Sequence, residues 1–260
     1  MTSPSIPIAL PRLIAIDGPA GSGKTTVGFA LAQEFGYLLI DTGAYYRAVT
    51  IAAQRARLDP SSAQEQAFAE LARSLRIVTK AGRHPGEHYR LFLENSDGEE
   101  EITEAIRAAE VEAQVSQIAA MGGVRAALNA HFRSLAGQGQ RVIMVGRDIG
   151  SVVLPEAEIK LYLDASPSVR AVRRQQQSGS ADVQGVQAAL EGRDKLDTQR
   201  EIAPLRLVQG AHYLDTDQLD ITSVIAQVKQ LLLEWAARAK ADQMPPAESP
   251  PETPSRRPAE

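Results

Sequence analysis

The chain contains no cysteine among its 260 residues, which excludes disulfide bonds, cysteine-ligated zinc and thiol nucleophiles together. It also contains no apolar run near the roughly 20 residues that a membrane-spanning helix needs. Positive charge is not in excess, since the formal net charge is −4, and this argues against nonspecific nucleic-acid binding. The first eleven residues contain three prolines and no lysine or arginine, unlike a signal peptide. We therefore expect a cytoplasmic protein with neither a nucleic-acid partner nor a membrane partner.

The two ends of the chain differ in composition from the segment between them. Residues 241–260 hold six of the fifteen prolines, and Met244 is their one large apolar residue. Such a segment cannot bury enough apolar surface to fold, so we expect a disordered tail there and a flexible leader over residues 1–11. Hydrophobic residues make up 43% of the chain, which allows a sizeable core in one domain over residues 12–240.

Between these ends, short apolar strands alternate with helical patterns. The predicted strands are Leu13–Asp17, Tyr37–Asp41, Val142–Val145, Ile159–Leu163 and His212–Leu214. The predicted helices are Lys24–Phe35, Ala44–Arg55, Ser62–Ser74, Ala105–Leu135, Ser168–Gln177 and Thr222–Ala239. This alternation predicts an α/β fold, a doubly wound parallel five-stranded sheet flanked by helices. Ligands of such a sheet bind at the carboxyl ends of its strands.

One segment interrupts the alternation. Leu75–Thr79 and His88–Glu94 each alternate apolar and polar residues, and a loop with glycine and proline joins them. The pattern predicts a small antiparallel hairpin, which belongs to an insert over about residues 62–135.

The most specific motif runs from Gly18 to Thr25 and fits the phosphate-binding loop G-x-x-x-x-G-K-[ST] at every fixed position. It follows a buried strand and opens a helix, so backbone N–H groups and a positive helix end would surround a triphosphate. Lys24 can reach the β- and γ-phosphates, and the Thr25 hydroxyl can ligate Mg²⁺, partly through water. We predict a P-loop NTPase-type fold that binds ATP and Mg²⁺. The predicted ATP-binding residues are Gly18, Pro19, Ala20, Gly21, Ser22, Gly23, Lys24, Thr25 and Thr26.

Two further clusters follow predicted strands. Thr42 and Arg47 come after the second strand, where they form either a helix cap with a solvated arginine or an anion site. Arg147 and Asp148 lie between glycines after the third strand, as a turn with a local ion pair or as a substrate site. In the second reading Arg147 holds a phosphate through two hydrogen bonds, and Asp148 accepts one from an exocyclic amino group.

Two helical faces carry charged residues at helical spacing. Arg193, Asp197 and Arg200 are spaced i, i+4 and i+7, which is typical of a surface ion-pair ladder or of a face that grips a substrate. A second face is purely basic and falls in a predicted helical lid over about residues 166–182; its members are Arg170, Arg173 and Arg174. It is either a solvated face or a mobile lid that brings a guanidinium to the transferring phosphoryl group.

Taken together and in order, these motifs resemble those of the bacterial cytidylate kinase family. The resemblance extends from Leu13 to Lys240. It rests on five stretches, namely Ile16–Lys24, Asp41–Arg47, Gly146–Val153, Leu163–Ser166 and Arg193–Arg200. It implies ATP-dependent phosphorylation of CMP and dCMP, with the antiparallel insert in the monophosphate-binding region. We also expect a monomer.

The resemblance implies roles for individual residues. It implies that CMP is bound by Thr42, Arg47, Ser116, Arg125, Arg147, Asp148, Arg193, Asp197 and Arg200. Among these, Ser116, Arg125 and Asp148 would read the cytosine. The residues with implied catalytic roles are Lys24, Arg147, Arg170 and Arg174.

The chain departs from the family pattern at two places. Val145 occupies a position that is commonly acidic, and no proline lies near Gly122 and Gly123. Three alternatives stay open: a kinase that resembles shikimate kinase, one that resembles adenylate kinase, and a noncatalytic nucleotide-binding regulator. A GTPase and an ABC-type ATPase are disfavoured because the N-K-x-D and L-S-G-G-Q signatures are missing from the sequence.

Overall fold

The computed structural model describes residues 10–61, 64–84, 87–178 and 182–242. Most of the predicted leader and nearly all of the predicted tail therefore lie outside the described residues. In chain order the elements are β1 (Leu13–Asp17), α1 (Lys24–Phe35), β2 (Leu38–Asp41), α2 (Thr42–Arg55), α3 (Glu65–Ser74), β3 (Arg76–Ala81), β4 (Tyr89–Asn95), β5 (Gly98–Glu101), α4 (Ala109–Ala120), α5 (Gly122–Ala136), β6 (Val142–Gly146), β7 (Ile159–Asp164), α6 (Pro167–Ser178), α7 (Val183–Gln199), β8 (His212–Asp215) and α8 (Ile221–Asp242).

The main sheet has five strands in the order β2-β6-β1-β7-β8, and every pair in it is parallel. Side chains of a strand point alternately to the two faces, so β1 contributes to two separate cores. Leu13 and Ala15 pack on one face with residues of α2 and α5, whereas Ile14 and Ile16 pack on the other with residues of α1 and α8. Both faces are covered by helices, which confirms the predicted doubly wound α/β fold.

The insert contains a three-stranded antiparallel sheet in the order β3-β4-β5, where the sequence predicted a two-stranded hairpin. The additional strand is β5, whose glutamate run has no alternation of apolar and polar residues that could reveal it. The glutamates of β5 form ion pairs with the other two strands of this sheet: Glu99 pairs with Lys80 of β3, and Glu101 pairs with Arg90 of β4. Residues 85 and 86 of the connecting loop lie outside the described residues.

The prediction of one helix over Ala105–Leu135 is wrong. A 3-10 turn at Ala105–Arg107 comes first, and the chain then forms α4 and α5 as separate helices. The break falls at Met121, whose backbone is extended, and it allows α5 to pack closely on α3. A Cβ on Gly123 would lie 2.7 Å from the Cβ of Ala69, so the glycine permits this approach. The predicted helix at Ser62–Ser74 begins at Glu65, and residues 62 and 63 lie outside the described residues.

The predicted lid over about residues 166–182 contains α6, and α7 is the next described helix; residues 179–181 lie outside the described residues. The two helices pack on the loop between β1 and α1 through a small apolar cluster of Ala20, Ala171 and Leu190. The lid therefore lies directly over the phosphate-binding motif. Within the parts of the chain that the structure describes, no helix combines the length and the apolar character needed to cross a bilayer.

Candidate active site

The phosphate-binding motif forms a tight loop between β1 and α1. Gly18 has a φ of +146°, and a Cβ there would lie 2.0 Å from the carbonyl oxygen of Leu163, so the loop passes closer to β7 than a side chain permits. Gly23 caps the N-terminus of α1 with a φ of +91°, in the left-handed region that favours glycine. The loop thus directs backbone N–H groups to the N-terminal end of a twelve-residue helix, which is an anion-binding arrangement.

Lys24 lies folded back over this loop. Its Nζ donates to the carbonyl oxygen of Pro19 at 2.6 Å and to the Oγ of Ser22 at 3.3 Å, and the residue is only 7% exposed. Burial and the nearby guanidinium of Arg147 hold the pKa of Lys24 well below its ordinary value. Lys24 and the Arg147–Asp148 turn therefore lie near each other in the fold.

Thr25 at the start of α1 donates its hydroxyl to the Oδ2 of Asp41 at 2.9 Å. A hydroxyl and a carboxylate at this point are hard oxygen groups of the kind that Mg²⁺ prefers. In the described ranges, no group of three or more histidine, aspartate and glutamate residues could hold a metal ion by itself. The residues fit an Mg²⁺ ion that binds together with nucleotide phosphates, since such ions take only one or two protein groups.

A cleft lies beside the loop, at the carboxyl ends of β2 and β6. Its lining residues are Thr42, Gly43, Tyr46, Val115, Ser116, Ala119, Arg125, Arg147, Asp148, Arg193, Asp197 and Arg200. All the predicted CMP-binding residues except Arg47 line this cleft, so the structure brings together segments that are distant in the sequence. Thr42 is the first residue of α2 and does not cap it; its hydroxyl donates to the carbonyl oxygen of Val145 at 2.9 Å.

Asp148 is the centre of one part of the cleft. Its Oδ1 accepts a hydrogen bond from Arg200 at 3.2 Å, and its Oδ2 accepts one from Arg125. The guanidinium of Arg125 also lies 5.6 Å from the ring centroid of Tyr46 and donates to the carbonyl oxygen of Ala119. Both side chains of the Arg125–Asp148 pair are almost fully buried, so this ion pair is protected from water.

Asp197 is the centre of a second part. It accepts a hydrogen bond from the Nε of Arg147 at 2.7 Å. Burial alone would raise the pKa of Asp197, but the guanidiniums of Arg147 and Arg193 hold it below its ordinary value. The Nε of Arg193 is buried and makes no hydrogen bond to any described residue. Burial, and after it the neighbouring guanidiniums of Arg47 and Arg147, lower the pKa of Arg193 to about 9.

Arg47 and Arg174 meet at Glu112, a residue of α4 that the sequence analysis did not single out. Arg47 donates to the Oε1 of Glu112 at 3.1 Å, and Arg174 pairs with the same oxygen. Glu112 therefore connects α2 to the lid helix α6. No motif in the sequence could have revealed it, because its partners are 65 and 62 residues away along the chain.

The cleft and its rim carry an excess of positive charge. Six guanidiniums share three carboxylates there, and these groups are Arg47, Arg125, Arg147, Arg174, Arg193, Arg200, Glu112, Asp148 and Asp197. Such an excess suits a ligand with a phosphate group, because guanidiniums bind phosphate oxygens through paired hydrogen bonds.

The three lid arginines do not share one environment, contrary to the expectation of a common basic face. Arg170 is buried and binds the carbonyl oxygens of Ala165 and Ala20 at 2.8 Å and 3.0 Å, and it pairs with Asp194 at 2.5 Å. Arg173 binds the hydroxyl and carbonyl oxygens of Thr216, away from the cleft. Arg170 thus fastens the lid to the phosphate-binding loop, and its catalytic role stays a prediction, as does that of Arg174.

Asp17 at the end of β1 orients the Arg147–Asp148 turn. Its two carboxylate oxygens each accept a backbone hydrogen bond at 2.8 Å, from Ile149 and from Gly150. Burial raises the pKa of Asp17 to about 6 in spite of these hydrogen bonds. The sequence placed Asp17 at a strand end but gave no sign of these long-range partners.

A phosphate-binding loop that faces a buried arginine cluster across the carboxyl edge of a parallel sheet is the arrangement of a P-loop phosphotransferase. The family model for cytidylate kinase matches residues 14–234. This chain belongs to the cytidylate kinase family, which confirms the resemblance that its motifs indicated, and membership implies the use of ATP.

Individual relatives agree with the family model. Cytidylate kinase from Exiguobacterium sibiricum is 44% identical over 223 residues, which cover 84% of this chain and 95% of the relative. Cytidylate kinase from Mycobacterium leprae is 40% identical over 224 residues, which cover 85% of this chain and 95% of the relative. A solved gluconokinase from Sinorhizobium meliloti aligns over 90% of this chain and 99% of its own, with a TM-score of 0.49 and 14% identity. That similarity does not bear on the substrate.

Proposed function

We propose that this protein transfers the γ-phosphoryl group of ATP to CMP and dCMP, which yields ADP with CDP or dCDP. The observation that carries the proposal is the cluster of six arginines and three carboxylates beside Lys24. A cleft with this excess of positive charge suits a nucleoside monophosphate, whose phosphate neutralises the guanidiniums while its base meets a carboxylate.

On the donor side, residues 18–26 would hold the ATP phosphates through their backbone N–H groups, except at Pro19, which has none. Lys24 would turn from the carbonyl oxygen of Pro19 to the phosphates. Thr25 would hold Mg²⁺, which when bound neutralises charge on the β- and γ-phosphates. The lid packs on this loop through Arg170, so it is placed to exclude water that would otherwise hydrolyse ATP.

On the acceptor side, Arg47, Arg147 and Arg200 would hold the phosphate of CMP. Two of these arginines now bind Glu112 and Asp197, so the substrate phosphate would replace a carboxylate as their partner. The acceptor oxygen is already ionised at neutral pH, and the chemistry needs no dedicated general base. Positioning and charge stabilisation then account for most of the rate enhancement.

Cytosine would be read by Asp148, Ser116 and Arg125. The carboxylate of Asp148 accepts a hydrogen bond from the 4-amino group of cytosine, and Ser116 and Arg125 can donate to the ring acceptors. Uracil has a carbonyl oxygen at that position, so it would leave two acceptors facing each other without a proton. Such a mismatch costs about 1–3 kcal/mol when it is buried, which corresponds to a factor of about 5–150.

A panel of acceptors tests this proposal. ADP release is measured with ATP and Mg²⁺ for CMP, dCMP, UMP, AMP and shikimate, in the wild type and in Asp148→Asn. We expect kcat/KM for CMP and dCMP to exceed that for UMP by at least about 10-fold, and we expect Asp148→Asn to remove most of this preference. Equal rates with CMP and UMP in the wild type, or turnover of AMP or shikimate instead, would refute the assignment.

A further inference from the structure

Asp41 has contacts that neither a helix cap nor the sheet explains. It is the N-cap residue of α2, but its side chain makes no capping hydrogen bond. Its Oδ2 instead accepts two hydrogen bonds, from the hydroxyl of Thr25 at 2.9 Å and from the hydroxyl of Tyr89 at 3.0 Å. Thr25 is the second residue of α1, the helix that follows the phosphate-binding loop, and Tyr89 is the first residue of β4 in the insert. Asp41 therefore joins the insert to the loop.

The direction of the hydrogen bond from Thr25 matters. The Thr25 hydroxyl donates a hydrogen bond to Asp41, so the lone pairs of the Thr25 hydroxyl oxygen point away from the carboxylate. An oxygen oriented in this way is prepared to ligate a cation. A carboxylate that accepts a hydrogen bond from a metal-ligating group fixes the orientation of that group and raises the group's basicity, as outer-shell partners of metal ligands do.

The other groups at this level of the sheet cannot do the same. Val145 is the register partner of Asp41 on the adjacent strand, but it is apolar and buried against Gly28 of α1. Asp17, at the end of β1, uses both carboxylate oxygens for backbone N–H groups. Asp41 is thus the strand-end carboxylate that contacts Thr25.

The contact between the insert and the loop is not confined to one hydrogen bond. His88 precedes Tyr89, and its ring lies 4.6 Å, centroid to centroid, from the ring of Phe29 on α1. Two successive residues of the insert therefore contact neighbouring elements of the main fold: Tyr89 contacts Asp41 at the end of β2, and His88 contacts Phe29 on α1. This packing fixes Tyr89 in place and lets it hold the Asp41 carboxylate toward Thr25.

We propose that Asp41 is the positioning residue for the Mg²⁺ ion of bound ATP, through the hydroxyl of Thr25, and that Tyr89 of the insert holds Asp41 in that position. The inference rests on the proposed function in so far as ATP is the donor. It adds a role for the insert, which then supports the donor end of the site as well as the acceptor end.

The test measures the affinity for ATP with and without Mg²⁺, by isothermal titration calorimetry on the full chain. For Asp41→Asn we expect the affinity for Mg²⁺–ATP to fall about 10–100-fold, as when other outer-shell partners are removed. The affinity for metal-free ATP should stay the same or increase, because a negative charge near the phosphates is removed. For Tyr89→Phe we expect a smaller loss in the same direction.

A matched control is Asp215→Asn, which makes the same substitution at the carboxyl end of the edge strand β8, where the side chain is exposed. It should change neither affinity. The proposal is overturned if Asp41→Asn keeps the wild-type affinity for Mg²⁺–ATP, or if it weakens binding of both forms of ATP equally, as a structural role would. If Asp41→Asn does not fold, an unchanged Mg²⁺ dependence in Tyr89→Phe overturns the proposal instead.

These outcomes are separate from those of the acceptor panel. If the wild type binds Mg²⁺–ATP but does not phosphorylate CMP, the proposed function fails while the role of Asp41 is still decided by the binding data. If CMP is phosphorylated and Asp41→Asn binds Mg²⁺–ATP normally, the inference fails and the proposed function stands.

Discussion

The two sides of the cleft hold their charged side chains in different ways, and the donor side is the simpler. There Lys24 binds the carbonyl oxygen of Pro19 and the hydroxyl of Ser22, both within the same loop. The glycines that shape the loop also lie within it. A contiguous stretch of sequence thus builds the phosphate-binding loop, whose main groups are backbone N–H groups, and Asp41 and Arg170 contact this loop from other segments.

The acceptor side is assembled from distant segments. Arg147 and Asp197 are 50 residues apart in the sequence, and Arg200 and Asp148 are 52 residues apart. Both arginines thus pair with a carboxylate from a distant segment, and Arg200 also donates from its Nε to the carbonyl oxygen of Ala203 at 2.6 Å. The shape of the phosphate-binding loop is therefore fixed by local conformation, whereas the acceptor site is a charge network in which a substrate phosphate must compete with the protein's own carboxylates.

The largest effect should follow from breaking the donor side at Lys24. In Lys24→Ala we expect kcat for CMP phosphorylation to fall by at least about 10³-fold, because charge on the transferring group is no longer stabilised. Folding should be little affected, since burial already disfavours the charged form of Lys24. Coupled ADP-release assays and thermal melting measure the two quantities.

Lys229→Ala is the control, because Lys229 is a partly exposed lysine on α8 that pairs with Glu34 at 2.6 Å. The Lys229→Ala variant should phosphorylate CMP at the same rate as the wild type. Undiminished turnover in Lys24→Ala would remove Lys24 from the mechanism, and a large fall in melting temperature would show that its role is structural.

A smaller effect of opposite sign should follow at the rim of the acceptor side. In Glu112→Gln the carboxylate that competes for Arg47 and Arg174 is neutralised. We expect KM for CMP to decrease a few-fold, since a partly exposed pair of this kind contributes at most about 1 kcal/mol. Steady-state kinetics with varied CMP measure this change.

The control for Glu112→Gln is Glu110→Gln, an exposed change in the same first turn of α4. It should leave KM for CMP unaltered. An increase of KM in Glu112→Gln alone would mean that Glu112 helps the arginines to bind CMP. The hypothesis that the carboxylate and the substrate phosphate compete for these arginines would then be wrong.

Much of the donor side and of the main sheet could be predicted from the sequence, because both depend on local patterns. The short apolar strands and the spacing from Gly18 to Thr25 are each contained in one segment of chain. In the main sheet, the ends of the predicted strands differ from the observed ends by at most one residue. Rules that apply to a single strand or loop are sufficient to predict these parts of the structure.

What could not be predicted depends on contacts between distant segments. The helix break at Met121 follows from the packing of α5 on α3, and strand β5 exists because β4 offers it backbone partners. The separate environments of Arg170 and Arg173 arise because α6 lies between the phosphate-binding loop and the β8–α8 connection. Helical spacing predicts which side chains share a face of the helix, but it does not predict which segments pack against that face.

The central claim is that the phosphate-binding loop and the arginine cluster face each other across one cleft, close enough for direct transfer. The most direct test is the affinity for a bisubstrate analogue in which adenosine and cytidine are joined through five phosphates, measured by isothermal titration calorimetry. We predict a Kd at least about 100-fold below that of ATP or CMP alone, because one ligand then fills both halves of the site. An analogue that binds no more tightly than ATP would contradict the shared cleft.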